Sequence, residues 1–148
     1  RISRPVVAYG NNNINYNYSK FTHKGNVSTQ PVCNLLEKFS SHLGIKFIHP
    51  LLNLYRYGND SAGWHKYDKK DLGDIINAAI VSLGISRIFT IRHPQTESKI
   101  SIVLDSNRLI LMQPPLQFEW EQCLRKISEI KDVRMTSNVR NVIERKTK

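Results

Sequence analysis

The chain has 148 residues, 40% of them hydrophobic, and carries 22 Lys and Arg against 12 Asp and Glu, a formal net charge of +10. That length suffices for one domain with a real core, and residues 1–148 are expected to be a single domain cut from a longer chain, since the sequence opens at Arg1 with no methionine and no charged-then-apolar leader. Apolar runs of a few residues exclude a membrane helix, which needs about 20, the lack of a Gly-rich phosphate loop excludes P-loop nucleotide hydrolysis, and the excess cations point to a polyanionic partner or to a merely soluble basic surface.

In chain order, "VVAYGNNNINYNY" from Val6 to Tyr18 reads as a turn followed by a half-exposed strand in which Ile14, Tyr16 and Tyr18 alternate with Asn13, Asn15 and Asn17. Pro31 opens a helix with Val32, Leu35, Leu36, Phe39 and Leu43 on one face and Gly44 as its stop. Short β-rich runs follow, "IKFIH", "LLNLYRY", "AAIVSLG", "SRIFTIRH", "KISIVLD" and "RLILMQ", separated by turn residues in the manner of a sandwich or jelly roll. From Leu124 to Lys148 eight Lys or Arg face three acids, and "VRMTSNVRNVI" within this basic tail reads as one more strand. Cys33 and Cys123 lack CxxC spacing, which suits reduced thiols in an intracellular protein; nothing separates nucleus or mitochondrion from cytoplasm.

The run "NLYRYGNDSAGWHKYDKKDLG", Asn53 to Gly73, resembles the signature of the AlkB-like Fe(II)/2-oxoglutarate dioxygenases. "IVSLGISRIFTIRH" (Ile80–His93) resembles the strand and turn after that family's metal loop, "LILMQPPLQFEWEQCLRK" (Leu109–Lys126) its second metal-ligand region, and "RMTSNVR" (Arg134–Arg140) its closing Arg-x-Asn-x-x-x-Arg motif. The stretch before Ser19 resembles the hairpin that covers the substrate nucleotide. The resemblance spans nearly the whole chain and implies a mainly β (α+β) fold, a double-stranded β-helix or jelly roll with one or two outer helices.

The family holds iron with a His-x-Asp pair and a distant second histidine. His65 matches the first ligand, but Tyr67 stands at the aspartate and Gln122 at the second histidine, so the resemblance implies a degenerate triad, no catalytic residue and no Fe(II). Asp68 is one residue late, and adjacent side chains on a strand face opposite ways, so it is expected at the substrate base rather than at a metal. His65 is then a histidine packed beside Trp64. His23, His42, His49 and His93 fall outside the motifs.

For 2-oxoglutarate, the family's tyrosine and two arginines map onto Tyr57, Arg134 and Arg140, whereas Tyr55 and Thr136 replace asparagines and Asn138 is displaced by two positions. Arginines pair with carboxylates in a bidentate fork, so these suit 2-oxoglutarate, another small carboxylate or a phosphate, or are structural; no other cofactor is expected. Three functions stay open. The first is a catalytically inactive AlkB-like domain serving as an assembly module or binding RNA or single strands through Tyr16, Tyr18, Lys66, Asp68, Lys69, Lys70, Arg125 and Lys126, with Lys131, Arg145 and Lys146 adding charge. The second is an active nucleic-acid dealkylating dioxygenase with an altered metal site. The third is a scaffold that binds other proteins in a larger complex; a membrane partner is not expected.

Overall fold

The computed structural model describes residues 3–10, 15–18, 21–66 and 76–141, with backbone only for 15–18, 21–24 and His49. Within them the chain forms strands β1 (Val6–Ala8), β2 (Asn15–Tyr18) and β3 (Phe21–Lys24), helix α1 (Gln30–Leu43), then β4 (Ile48–Tyr55), β5 (Ala62–His65), β6 (Ala78–Gly84), β7 (Arg87–Arg92), β8 (Lys99–Leu104) and β9 (Leu109–Met112). A single turn of helix, α2 (Leu116–Glu119), precedes β10 (Glu121–Leu124) and β11 (Arg134–Arg140). One sheet has the order β1-β4-β11-β6-β9, a second the order β5-β10-β7-β8, and β2 and β3 make a separate hairpin, with every strand pairing antiparallel. This is the expected mainly β jelly roll with outer helices.

Period-two alternation sorts the side chains. On the five-stranded sheet Ala78 and Ile80 of β6 turn inward to Phe89, Ile91, Leu104 and Leu124 of the second sheet, and these form the main core. The alternate residues Ala79 and Val139 turn outward to Phe39 and Phe47, where α1 supplies Leu35, Leu36 and Leu43 to cover that face. The helix begins as read, with Pro31 in its first turn, and it stops at Gly44, whose φ of 64° is left-handed and cheap only for glycine.

The runs "IKFIH" and "LLNLYRY" merge into the single strand β4, although Pro50 interrupts them and β4 lies between β1 and β11. Against β11 the register slips there: Asn138 pairs with Leu51 and Arg140 with Ile48, so β4 carries one extra residue at His49–Pro50. Such a bulge is where a strand tolerates the missing N–H of proline. Of the turn read at "GNNN" only Gly10 is described; Asn11 to Asn13, with Ile14 of the strand reading, lie outside the described residues. No helix among the described residues is long and apolar enough to cross a membrane.

Candidate active site

Between the two sheets lies a cavity with about 390 Å³ of space not filled by atoms, part of it open to solvent. The five-stranded sheet lines it with Tyr55, Ile80, Arg134, Thr136 and Asn138, the four-stranded sheet with Ala62, His65, Phe89, Gln122 and Leu124, and Arg4 joins from the N-terminal segment.

The first wall is cationic. Arg134 is directly opposite Tyr55 across β11 and β4, so both side chains enter the cavity side by side. Arg134 donates to Leu104 O at 2.9 Å, Ile85 O at 3.3 Å and Ser82 Oγ at 2.6 Å. Burial lowers its pKa to about 10, with Tyr55 opposing and nearby Arg87 reinforcing the shift, so it remains a cation at neutral pH. Arg87 is equally buried and donates to the carbonyls of Gly58, Asp60 and Arg125. It ties down the loop after β4, where Gly58 exchanges backbone hydrogen bonds with Ile127 and Ile130, and an added Cβ would collide with Ile127 O. Asp60 in that loop is held below the usual carboxylate range by the Arg56 guanidinium, which grips it at 2.8 and 3.0 Å. Arg4 lies 5.2 Å from the Tyr55 ring centre and donates from Nε to Asn53 Oδ1 at 2.8 Å.

Among the described residues the carboxylates form ion pairs with Arg56, Arg92 and Arg108 only. Arg134 therefore has neutral oxygens as partners. A buried cation so placed favours an anion in the same cavity.

The second wall carries the positions read as metal ligands. Gln122 is directly opposite His65 where β10 pairs with β5, and two residues on Leu124 opposes Ala62. Three steps on β5 therefore match two on β10, and this bulge brings both Ala62 and His65 round to the cavity. His65 Nδ1 lies 2.7 Å from Gly63 O. Burial, the largest influence, pushes its pKa down, so the ring is neutral; Nδ1–H donates to the carbonyl and the lone pair lies on Nε2. Trp64 faces the other way, with the Arg92 guanidinium 4.2 Å from its ring and Arg92 in turn paired with Glu121 at 2.7 Å. The two rings thus lie on opposite sides of β5 rather than packed together. Gln122 is 5% exposed, and its Oε1 has no hydrogen-bond partner. Asn138 Oδ1, on the facing wall, is likewise buried and unpartnered.

Several expected positions lie elsewhere. Tyr57 is 40% exposed beside the Arg56 guanidinium and does not line the cavity, because β4 ends at Tyr55 and the chain turns at Gly58; Tyr55 takes the inward place. Arg140 is fully buried with a pKa lowered by burial to about 9, but six residues of strand, roughly 20 Å, separate it from Arg134, and it does not line this cavity. Lys66 is exposed after β5, while Arg125 and Lys126 are exposed past the end of β10 that adjoins Ala62, so the cations grouped by sequence leave opposite ends of the strand pair. Tyr16 and Tyr18 lie on β2 in register with His23 and Phe21. Tyr67, Asp68, Lys69, Lys70, Arg145 and Lys146 lie outside the described residues.

Arg4, Asn53 and Arg87 were not read as site residues. For Arg87 a signal existed, since alternation through "RIFTI" places it on the inner face with Phe89 and Ile91.

Residues 6–142 match the model of the 2OG-Fe(II) oxygenase superfamily. The chain belongs to that superfamily. Its relatives are AlkB-like: proteins named alpha-ketoglutarate-dependent dioxygenase alkB homolog 3 from Bos taurus and Homo sapiens are each 30% identical over 137 residues, covering 86% of this chain and 48% of theirs. DNA oxidative demethylase ALKBH2 from Homo sapiens is 26% identical over 154 residues, covering 96% and 58%. The chain spans about half the length of the relatives it matches.

Membership overturns one expectation. The two missing ligands implied an oxygenase domain without Fe(II), with a small carboxylate as its only suitable cofactor, but the family is defined by 2-oxoglutarate and Fe(II), and these are the cofactors it points to here. Of the lining residues, Arg134 and Tyr55 would face the carboxylates of 2-oxoglutarate. For the metal, no group of three His, Cys, Asp or Glu occurs among the described residues, but the His65 imidazole and the unpartnered Gln122 oxygen face the same space. Bound together, metal and 2-oxoglutarate supply the oxidising chemistry of the family. The described side chains set the Arg134 cation on one wall of the cavity and the His65 imidazole, held by Gly63 O, on the other, with Phe89 and Ile80 also in the lining.

Proposed function

We propose that this oxygenase-family domain binds nucleic acid, preferring RNA or single strands, and has lost dealkylating turnover while keeping its 2-oxoglutarate pocket. One observation carries the loss of turnover: directly opposite His65 stands the neutral amide of Gln122, a weaker donor than the imidazole the family places there. Nucleic acid is the ligand class because one relative is named for acting on DNA and because the chain has net charge +10, with Lys66, Arg125, Lys126 and Lys131 exposed. Each phosphate contact releases counterions. An intracellular setting belongs to this reading, since Cys33 and Cys123 are free thiols.

The test has two arms. Labelled single-stranded RNA, single-stranded DNA and duplex are titrated at several salt concentrations, with affinity expected to fall by roughly 0.7 log units per log unit of salt for each phosphate contact. In the second arm the protein, supplied with Fe(II), 2-oxoglutarate and a methylated oligonucleotide, is expected to release no succinate above the protein-free blank. Absence of binding to all three nucleic acids would hand the chain to the protein-scaffold reading, and multiple turnovers would make it an active dealkylase.

A further inference from the structure

A sandwich of two sheets leaves their edges open, and each edge strand offers a row of unpaired N–H and C=O groups to another strand. Among the described residues three of the four edges of the large sheets are blunted: β1 is three residues long and follows Pro5, β9 is four residues long, and β5 is four and bulged against β10. The fourth edge is open. β8 runs six residues without a proline and keeps one register with β7, unbroken by any bulge, from Arg87 opposite Leu104 to Arg92 opposite Lys99. Lys99, Ile100, Ser101 and Val103 are exposed, Ile100 at 50% and Val103 at 52%, and Ile88 of β7, directly opposite Val103, is 47% exposed. No described strand pairs with the outer edge of β8.

The ladder fixes which backbone groups of β8 face outward. His93 N donates to Ser98 O at 2.9 Å, so that pair is hydrogen-bonded, and antiparallel alternation then turns the N–H and C=O of Ile100, Ile102 and Leu104 toward β7. Those of Lys99, Ser101 and Val103 point away from the sheet. We infer that β8 is a self-association edge, through which two copies of the chain join antiparallel with Ser101 on the two-fold axis. In that register Ser101 pairs with Ser101, Lys99 with Val103 and Val103 with Lys99, each pair exchanging two hydrogen bonds and using all the outward groups. The pairs between them set Ile100 of one copy against Ile102 of the other, at the closer, non-hydrogen-bonded spacing. Lys99, the one charge within β8, stands opposite an apolar residue and diagonal to Asp105 of the second copy, the acid just past the strand. Because β8 pairs with itself and β5 at the far edge is bulged, association closes at the dimer. Lys99 to Val103 make a contact smaller than the roughly 800 Å² per partner of a standard interface, and two chains of net charge +10 repel, so the dimer is weak and strengthens with salt.

The test uses the 148-residue chain without nucleic acid. In sedimentation equilibrium from micromolar to millimolar concentration, the wild-type mass should rise from that of one chain toward twice that. The rise should come at lower protein concentration in higher salt, opposite to the salt dependence of nucleic-acid binding. Ser101→Pro removes an N–H that faces outward and costs no bond to β7, and it should weaken the dimer at least about tenfold; Ile100→Lys should do the same by setting a charge against Ile102. Far-ultraviolet circular dichroism checks the fold of each, and if the proline variant does not fold, Ile100→Lys and the cysteine variants decide the matter. Ser101→Cys should be joined to its copy by a short thiol-to-thiol cross-linker, because directly opposite Cα atoms lie about 5.5 Å apart. Val103→Cys, which faces Lys99 and lies more than about 13 Å from its own counterpart, should not. Wild type with the same reagent is the blank for Cys33 and Cys123. Undiminished dimer in the folded variants, or equal cross-linking of the two cysteine variants, would place the contact elsewhere. A wild type that keeps the mass of one chain throughout would leave the edge to an extended segment of another protein. Each of these results overturns the assignment, and none depends on whether nucleic acid binds.

Discussion

The two walls of the cavity are built by different sheets and have different relations to the fold. On the five-stranded side, β11 pairs with β6 in unbroken register from Arg134 to Arg140, and Arg134 reaches three acceptors, two of them carbonyls at strand ends of the core. On the four-stranded side, β5 is four residues long and bulged against β10, whose Gln122 presents an oxygen with no partner. A cation wired into the sheet cannot be exchanged without leaving buried carbonyls unsatisfied, so its replacement is costly. The Gln122 side-chain oxygen satisfies no described group, so its removal leaves nothing behind it unpaired.

Breaking the first wall should have the largest effect. Arg134→Met removes the cation beside Tyr55, and truncating one member of a buried charged pair costs about 2–5 kcal/mol, so 2-oxoglutarate affinity measured by calorimetry should fall at least about thirtyfold. Arg140→Met, outside the cavity lining, should leave that affinity within about threefold of wild type. A reversed result would move the anion site to the far end of β11.

The same contrast explains what could be read in the sequence. The helix with its Pro31 start and Gly44 stop and the series of short strands were legible because they depend on alternation, helical spacing and turn chemistry that are local in the chain, whereas the meeting of His65 with Gln122, far apart in sequence, came only from the family resemblance. The tyrosine of the cavity was placed at Tyr57 instead of Tyr55 because motif matching assigns an order but not where a strand ends, and β4 ends at Tyr55 under the pull of the Gly58 loop. The merger of two runs across Pro50 and the turning of His65 into the cavity both rest on bulges, which depend on the partner strand and leave no mark in their own residues. The exclusion of Fe(II) is corrected by the family the chain belongs to, because a count of ideal ligands at three positions weighs less than a match over residues 6–142.

In the second wall the expected effect is smaller and of opposite sign. With a chelator present, Gln122→Leu should stabilise the domain by about 1 kcal/mol, a rise of roughly 2–4 °C in Tm, because the mutation removes a buried acceptor that no group satisfies while keeping the volume. A fall in Tm by thermal denaturation would mean that the amide oxygen has a partner inside the metal-free protein, and the difference between the two walls would shrink accordingly.

The smallest effect near neutrality, and the most diagnostic of which group holds the anion, is the dependence of 2-oxoglutarate binding on pH. Burial lowers the Arg134 pKa from the ordinary guanidinium range to about 10. Both carboxylates of the ligand are ionised well below that, so of the Arg134–ligand pair only the guanidinium changes charge in the alkaline window; Arg140, lowered to about 9, does not line the cavity. The charged form binds the dianion; affinity should therefore be flat from pH 7 to 9 and decline as pH rises through about 10, reaching about a tenfold loss near pH 11, where roughly one molecule in ten keeps the proton. Stability of the ligand-free protein should respond in the other direction, since a base with a folded pKa below its unfolded value costs stability while charged and less once neutral. Calorimetric titration at pH 8, 9, 10 and 11 measures the first, with melts at the same pH values confirming that the domain stays folded. In Arg134→Met the residual affinity should stay level across the window. A decline of the same size in that variant would assign the titration to another group and leave Arg134 as a structural cation.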